Sequence, residues 1–308
     1  MYFKTPSHLS APPPQADTIH GTDGNDSLLA GANGGLLFGH GGDDTLRGAI
    51  GGDALYGGPG ADLLDGGEGN DRLSDEDGHD TLLGGAGDDW LYGGSSLAGG
   101  DGDDMLFSYQ DTATRMDGGA GRNTAVIHRF LLQTGLSLDL SSGAGLLTGG
   151  AVTTALRGFD LLAFEGGSGD DFVTATAGDD VLVGHLGNDT LRGGAGHDVI
   201  TGNEGDDSLA GGDGNDRLEG YQIRDSQPGG DDTLRGGNGN DSMVGHEGND
   251  RLFGGSGDDL LDAGKGEAEM LDGGAGTDHA VVARFHLIGG MSLDLSTGSG
   301  RLVGGVRH

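Results

Sequence analysis

Aspartate is the residue type whose spacing in this chain most clearly indicates chemistry. It occupies the sixth place of the pattern Gly-Gly-x-Gly-x-Asp-x-U-x, where U is apolar. Ca²⁺ takes roughly six to eight oxygen ligands, from carboxylates and backbone carbonyls. Aspartates repeated at this spacing therefore indicate a row of cation sites. Complete copies of the pattern begin at residues 57, 66, 84, 99, 166, 193, 211, 236, 254 and 273.

The rest of the pattern indicates the elements that would position these carboxylates. Glycines at places 1, 2 and 4 allow positive φ, so six residues can turn tightly with their carbonyl groups directed inward. The last three residues, x-U-x, predict a short strand whose middle side chain points to the opposite face from its neighbours. We expect the U residues to form a thin apolar file, which includes Leu64, Leu73, Leu82, Leu91, Leu182, Leu191, Ile200, Leu209 and Leu218.

Composition limits the classes of protein to which the chain can belong. Fifty acidic residues face 16 basic ones, for a net charge of -34, which makes nucleic acid and anionic membranes poor partners. Only 33% of the residues are hydrophobic, so burial alone would leave the chain disordered unless a cation neutralised and ordered it. The absence of cysteine excludes disulfides and thiolate zinc sites.

Weaker copies in phase, at 21–29, 184–192 and 245–253, fill the spaces between the complete ones. The pattern resembles the RTX, or haemolysin-type, calcium-binding nonapeptide over roughly 21–126 and 166–281. The resemblance implies an all-β fold, a parallel β-roll or calcium-bound β-solenoid in two blocks, with two nonapeptides per coil. Aspartates of alternate repeats would then share ions, as in Asp62 with Asp80, Asp71 with Asp89, and Asp198 with Asp216.

The resemblance also implies which residues bind the several Ca²⁺ ions. Asn123 and Gly35 stand at the sixth place of two further copies and lack a carboxylate, which makes those two sites doubtful. The implied ligands are Asp26, Asp44, Asp53, Asp62, Asp71, Asp80, Asp89, Asp104, Asp171, Asp180, Asp189, Asp198, Asp207, Asp216, Asp232, Asp241, Asp250, Asp259 and Asp278.

Acidic and histidine side chains outside the sixth place have other interpretations. Aspartate is frequent at the fifth place, where we favour a role in charge and solubility over direct ligation. His40, His185 and His246 stand at the second place and are interpreted as turn residues. The sequence contains neither His-Glu-x-x-His nor Gly-x-Ser-x-Gly, so no catalytic site is predicted. The fifth-place aspartates are Asp43, Asp88, Asp103, Asp170, Asp179, Asp206 and Asp258.

A longer repeat organises the chain, because the text of 115–150 recurs at 270–305. The motifs VIHRF, LSLDL and LRGFDLLAFEG, within 126–166, predict β-strands. Breaks in phase at 95–98, 108–117, 220–226 and 263–272 predict loops that bulge from the roll. The predicted divisions are a disordered segment at 1–20, a first roll block at 21–126, a calcium-free β connecting module at 127–165, a second roll block at 166–281 and a truncated copy of the module at 282–308.

Location is predicted from the resemblance and from the absence of targeting signals. The first residues lack a basic region followed by an apolar run, so no Sec-type signal peptide is predicted, and no window is apolar enough to span a membrane. The resemblance implies a secreted, extracellular bacterial protein with the type I secretion machinery as a partner. The second copy of the module stops early, which predicts a fragment or a truncated reading frame.

The favoured function is a non-enzymatic calcium-binding module that folds outside the cell. One alternative is the calcium-binding, stabilising or export region of a larger secreted enzyme, such as a protease, lipase or epimerase. Another is part of an RTX adhesin or toxin. The number of ions, the oligomeric state and the biological role stay open at this point.

Overall fold

The computed structural model describes residues 17–75, 78–109, 113–129, 131–150, 153–221, 230–264 and 270–281, with the backbone of 292–294 and 301–303. In these residues the structure is all-β, and its mainly parallel strands form the predicted β-solenoid. Residues 1–16, most of the predicted disordered segment, lie outside the described part, as does most of 282–308. Within the described ranges no helix is long and apolar enough to cross a membrane.

The first compact unit comprises Met1–Ser108 and Thr112–Ala125. Its strands alternate between two sheets, so each sheet receives every second strand: one has the order β1-β3-β5-β7-β9-β11 and the other β2-β4-β6-β8-β10-β12. The strands are β1 (Asp17–His20), β2 (Ser27–Leu29), β3 (Gly35–Phe38), β4 (Thr45–Arg47), β5 (Ala54–Tyr56), β6 (Leu63–Glu68), β7 (Arg72–Asp75), β8 (Thr81–Ala86), β9 (Trp90–Gly93), β10 (Ser96–Asp101), β11 (Met105–Tyr109) and β12 (Arg115–Ala120).

The second unit comprises Tyr109–Asp111 and Val126–His308, and β13 (Thr124–His128) spans the boundary between the units. The strands that follow are β14 (Ser137–Asp139), β15 (Ala144–Leu147), β16 (Thr154–Arg157), β17 (Leu161–Glu165), β18 (Phe172–Thr174), β19 (Val181–Leu186), β20 (Thr190–Ala195), β21 (Val199–Glu204), β22 (Ser208–Asp213), β23 (Arg217–Glu219), β24 (Thr233–Asn238), β25 (Ser242–Val244), β26 (Arg251–Ser256), β27 (Leu260–Asp262), β28 (Met270–Ala275), β29 (His279–Val281), β30 (Ser292–Asp294) and β31 (Arg301–Val303).

These strands again alternate between two sheets. One sheet runs from β17 through the odd-numbered strands to β31, and the other runs from β14 to β18 and then through the even-numbered strands to β30. The predicted strands of 126–166 are present as β13, β14, β16 and β17. The connection between them adds an antiparallel hairpin, in which β15 pairs with β16.

The core of the roll is the apolar file formed by the middle residue of each short strand. In β6 and β8, Leu64 pairs with Leu82, and in β20 and β22, Leu191 pairs with Leu209. All nine residues predicted for this file are fully buried, with 0% exposure. Because each nonapeptide supplies one such side chain, the core is long and thin.

The prediction of a bulging loop at 95–98 is wrong. Two residues, Gly94 and Ser95, connect β9 to β10, whereas residues 76–80 connect β7 to β8. The coil is therefore shortened, and β10 still pairs with β8 in register, with Leu97 opposite Leu82. The other predicted loops lie wholly or partly outside the described residues.

Candidate metal centre

The sixth-place aspartates stack in four files along the turns of the two units. Successive members of a file come from alternate nonapeptides and are 18 residues apart in regular coils. Changes in coil length widen the spacing to 25 residues between Asp207 and Asp232. The files are A (Asp53, Asp71, Asp89, Asp104), B (Asp26, Asp44, Asp62, Asp80), C (Asp180, Asp198, Asp216, Asp241, Asp259, Asp278) and D (Asp171, Asp189, Asp207, Asp232, Asp250).

Each file is held together by one oxygen of every carboxylate. The backbone N–H of an aspartate donates to Oδ1 of the next aspartate in its file, over 2.7–3.1 Å. The stacking of Asp62 on Asp80 is one example, with N–H to Oδ1 at 3.0 Å. The alternate-repeat neighbours that the resemblance implied are therefore in contact.

After the first aspartate of each file, whose Oδ2 accepts hydrogen bonds from its own turn, the second carboxylate oxygen of most members is left for another partner. Most members of the files are 4% exposed or less, so water does not solvate this oxygen. A buried carboxylate oxygen without a donor or a cation is costly. Within the described residues, Oδ2 is buried and accepts no hydrogen bond in Asp44, Asp71, Asp89, Asp104, Asp189, Asp198, Asp207, Asp216, Asp232, Asp241 and Asp259.

At many of these positions a backbone carbonyl oxygen converges on the same space as Oδ2. A Cβ added to Gly84, at the first place of its repeat, would lie under 3.0 Å from both Asp89 Oδ2 and the carbonyl oxygen of Gly99 in the next coil. At Gly236 the two oxygens belong to Asp241 and Gly254. We refer to this pair of oxygens beside a first-place glycine as the cradle. Its carboxylate and carbonyl donors fit Ca²⁺, a hard cation that prefers oxygen ligands.

The electrostatics of the files also favour a cation. Burial, reinforced by neighbouring carboxylates, raises the pKa of Asp89 and Asp207 to about 8 and that of Asp232 to about 9, although a backbone hydrogen bond opposes each shift. In Asp189 and Asp198 the same causes raise the pKa to about 7. The folded chain therefore disfavours ionised carboxylates here unless positive charge is supplied.

Files A, C and D begin after a coil whose sixth place lacks a carboxylate. Gly35, Leu136 and Leu162 donate their backbone N–H to Oδ1 of Asp53, Asp171 and Asp180 and offer no side-chain oxygen. Asn123 continues file A, because its Oδ1 accepts the N–H of Asp104 at 2.9 Å. It therefore preserves the stacking without supplying negative charge.

The fifth-place side chains form a second ladder that the sequence interpretation missed. Asn188 Oδ1 accepts the N–H of Asp206 at 2.9 Å, and Asp206 Oδ1 accepts that of Asp231 at 2.8 Å. All seven fifth-place aspartates named above act as acceptors in this way. In the structure these side chains therefore accept hydrogen bonds from backbone N–H groups of the neighbouring coil. Ladders of this kind end at Ala61, Arg122 and Thr277, which donate their N–H.

Replacing Asn188 with alanine should weaken the stacking of coils in the second unit. The change leaves the N–H of Asp206 without its side-chain acceptor, at a cost of about 0.5–1.5 kcal/mol for one hydrogen bond. Urea unfolding in saturating calcium measures the difference in the free energy of unfolding. Thr277→Ala is the control, since Thr277 uses its backbone N–H in the ladder, and equal losses in both variants would contradict the assignment.

Second-place histidines take the backbone conformation expected for turn residues. His40, His185 and His246 have φ of 78°, 83° and 75°, in the left-handed region that glycine otherwise occupies. At the fifth place, His197 joins the second ladder, because its Nδ1 accepts the N–H of Asn215. Turn geometry and stacking therefore account for these four histidines.

One buried carboxylate near file B was also missed by the sequence interpretation. Asp75 stands at the first place of its repeat, where glycine is expected, and is 2% exposed. Its carboxylate can approach those of Asp62 and Asp80, with one oxygen from each lying within 4.8 Å of the others. The departure from glycine was the signal that could have revealed it.

Comparison with known proteins agrees with this geometry. A family model described as the RTX calcium-binding nonapeptide repeat (4 copies) matches residues 15–33, 38–73, 65–96, 165–200, 192–222 and 229–261. The matched segments together cover more than half of the chain. No curated protein matches it.

Proposed function

The chain belongs to the RTX calcium-binding nonapeptide repeat family and binds several Ca²⁺ ions, and we propose that files A to D supply the side-chain ligands. The observation that carries this proposal is the buried Oδ2 of successive aspartates, which in many repeats lies beside a carbonyl oxygen of the next coil. In these aspartates Oδ1 is already used in stacking and Oδ2 accepts no hydrogen bond, so Oδ2 is the oxygen available to an ion.

Bound Ca²⁺ would supply the positive charge that the buried carboxylates lack. Each aspartate would then link two neighbouring coils in two ways, through the ion bound at its Oδ2 and through the hydrogen bond that its Oδ1 accepts. Asp232, whose pKa is raised most, is the residue for which this compensation matters most. Metal binding of this kind contributes directly to the free energy of folding.

We further propose that the chain is secreted, works outside the cell and folds there without performing catalysis itself. Extracellular calcium modules bind with dissociation constants of about 10⁻⁴–10⁻³ M, so the low calcium inside a cell would leave the sites empty. A net charge of -34 then favours an open chain. Family membership supports export, with the type I secretion machinery as the proposed partner.

Equilibrium dialysis against ⁴⁵Ca²⁺, with Mg²⁺ as a competitor, tests the assignment of ligands. Asp207→Asn should lower the affinity of the affected sites by about tenfold or more, because ligand charge sets calcium affinity. Asp206→Asn is a matched control, since it removes the same charge while an amide oxygen can still accept the N–H of Asp231. Equal calcium binding by both variants would refute the ligand role of Asp207, and absence of binding by the wild type would refute calcium binding.

A further inference from the structure

The first place of the repeat at 75–83 departs from the pattern in a chemically specific way. Asp75 stands there instead of glycine and ends β7. Its side chain is buried at 2% exposure, together with Asp62 at 3% and Asp80 at 1%. Three buried carboxyl groups thus meet on one edge of the first unit.

The side chain of Asp75 enters the cradle beside Gly57. A Cβ added to Gly57 would lie under 3.0 Å from Asp62 Oδ2 and from Asp75 Oδ2. One coil earlier in the same file, beside Gly39, the corresponding oxygens are Asp44 Oδ2 and the carbonyl oxygen of Gly57. A charged oxygen therefore occupies the position that a neutral carbonyl oxygen has in the preceding cradle.

The arrangement requires something positive between the carboxyl groups. Asp62 Oδ1 accepts the N–H of Asp44, whereas its buried Oδ2 is close enough to the carboxyl group of Asp75 for the two to share a proton. That oxygen faces Asp75, and one ligand oxygen from each of Asp62, Asp75 and Asp80 lies within 4.8 Å of the others. Only a shared proton or a cation can make this approach favourable, and a divalent cation supplies more positive charge to the three carboxyl groups than one shared proton does.

We propose that Asp62, Asp75 and Asp80 form a three-carboxylate calcium site, that Asp75 is its additional ligand, and that this site binds Ca²⁺ more tightly than the cradle beside Gly39. The proposal rests on the calcium function proposed above. Each further carboxylate ligand raises the affinity of a site for Ca²⁺, so the site with more carboxylates binds the ion more tightly. The site therefore fills before the cradle beside Gly39 as calcium rises.

Competition with a chromophoric calcium chelator tests this order of filling. We expect the wild type to show a tight class of site whose affinity falls by about tenfold in Asp75→Asn, which keeps the shape and removes the charge. Asp75→Gly restores the glycine of the repeat and should give the same loss. Asp101→Asn removes one charge from an exposed third-place aspartate of the same unit and should retain the tight class.

The outcomes separate this proposal from the one on which it rests. Loss of the tight class in both Asp75 variants, with the remaining sites unchanged, supports the three-carboxylate site. An unchanged tight class in Asp75→Asn overturns it and leaves calcium binding by the files intact. Absence of calcium binding in the wild type overturns the proposed function itself. Circular dichroism of Asp75→Asn in excess calcium verifies that the variant is folded.

Discussion

In a calcium chelator at alkaline pH we expect the chain to lose its β-structure, and we expect CaCl₂ added to about 10 mM to restore it cooperatively, whereas MgCl₂ should not. The expected change is from a coil to a β spectrum in far-UV circular dichroism. The effect should be large because the proposed ligands lie on most coils of the roll. Mg²⁺ is the informative comparison, since it demands a smaller octahedral site and releases its water reluctantly.

The thin core is the physical reason for this dependence. Each nonapeptide buries one side chain of the apolar file, and the sixth-place aspartate beside it is buried as well, as with Leu209 and Asp207. Without calcium the apolar contribution must outweigh both the loss of chain entropy and the burial of unneutralised carboxylates. A β spectrum that persists in EGTA at alkaline pH, or an equal response to magnesium, would contradict folding coupled to calcium.

The sequence predicted the two sets of residues whose position depends on the repeat alone. Glycines at fixed places determine the turn, and strand alternation determines which side chain enters the core. The buried file containing Leu64 and Leu82 and the stacking of Asp62 on Asp80 both follow from that register. The period of the repeat also indicated that neighbours in space would come from alternate copies.

Contacts that exist only after the coils have stacked could not be predicted in the same way. The acceptor role of Asp206 involves a backbone N–H that lies 25 residues away in sequence, across a coil of irregular length. A break in phase, as at 95–98, does not reveal whether residues have been added to a turn or removed from it. Asp75 was overlooked because a departure from glycine resembles a degenerate copy, although its carboxylate lies in a cradle.

Without calcium, acid should stabilise the roll and alkali should unfold it. The folded chain raises the pKa of Asp89 and Asp207 to about 8 and that of Asp232 to about 9, from an ordinary value of 3.8. Between the ordinary pKa and these raised values the folded state therefore binds more protons than the unfolded state. Its free energy of unfolding decreases as the pH rises through this range. We expect β-structure in calcium-free buffer at about pH 5 and its loss by about pH 9.

Circular dichroism in resin-treated, calcium-free buffers across this range measures the effect and avoids the pH dependence of a chelator. The double variant Asp207→Asn, Asp232→Asn should show a weaker pH dependence, because amides cannot take up the protons that stabilise the acid form. The matched control Asp206→Asn, Asp231→Asn removes the same charge from the exposed fifth-place ladder and should keep the wild-type pH dependence. Identical curves for both double variants would show that protons act through general charge repulsion, whereas a difference between them would assign the effect to the buried files in which protons and calcium compete for the same oxygens.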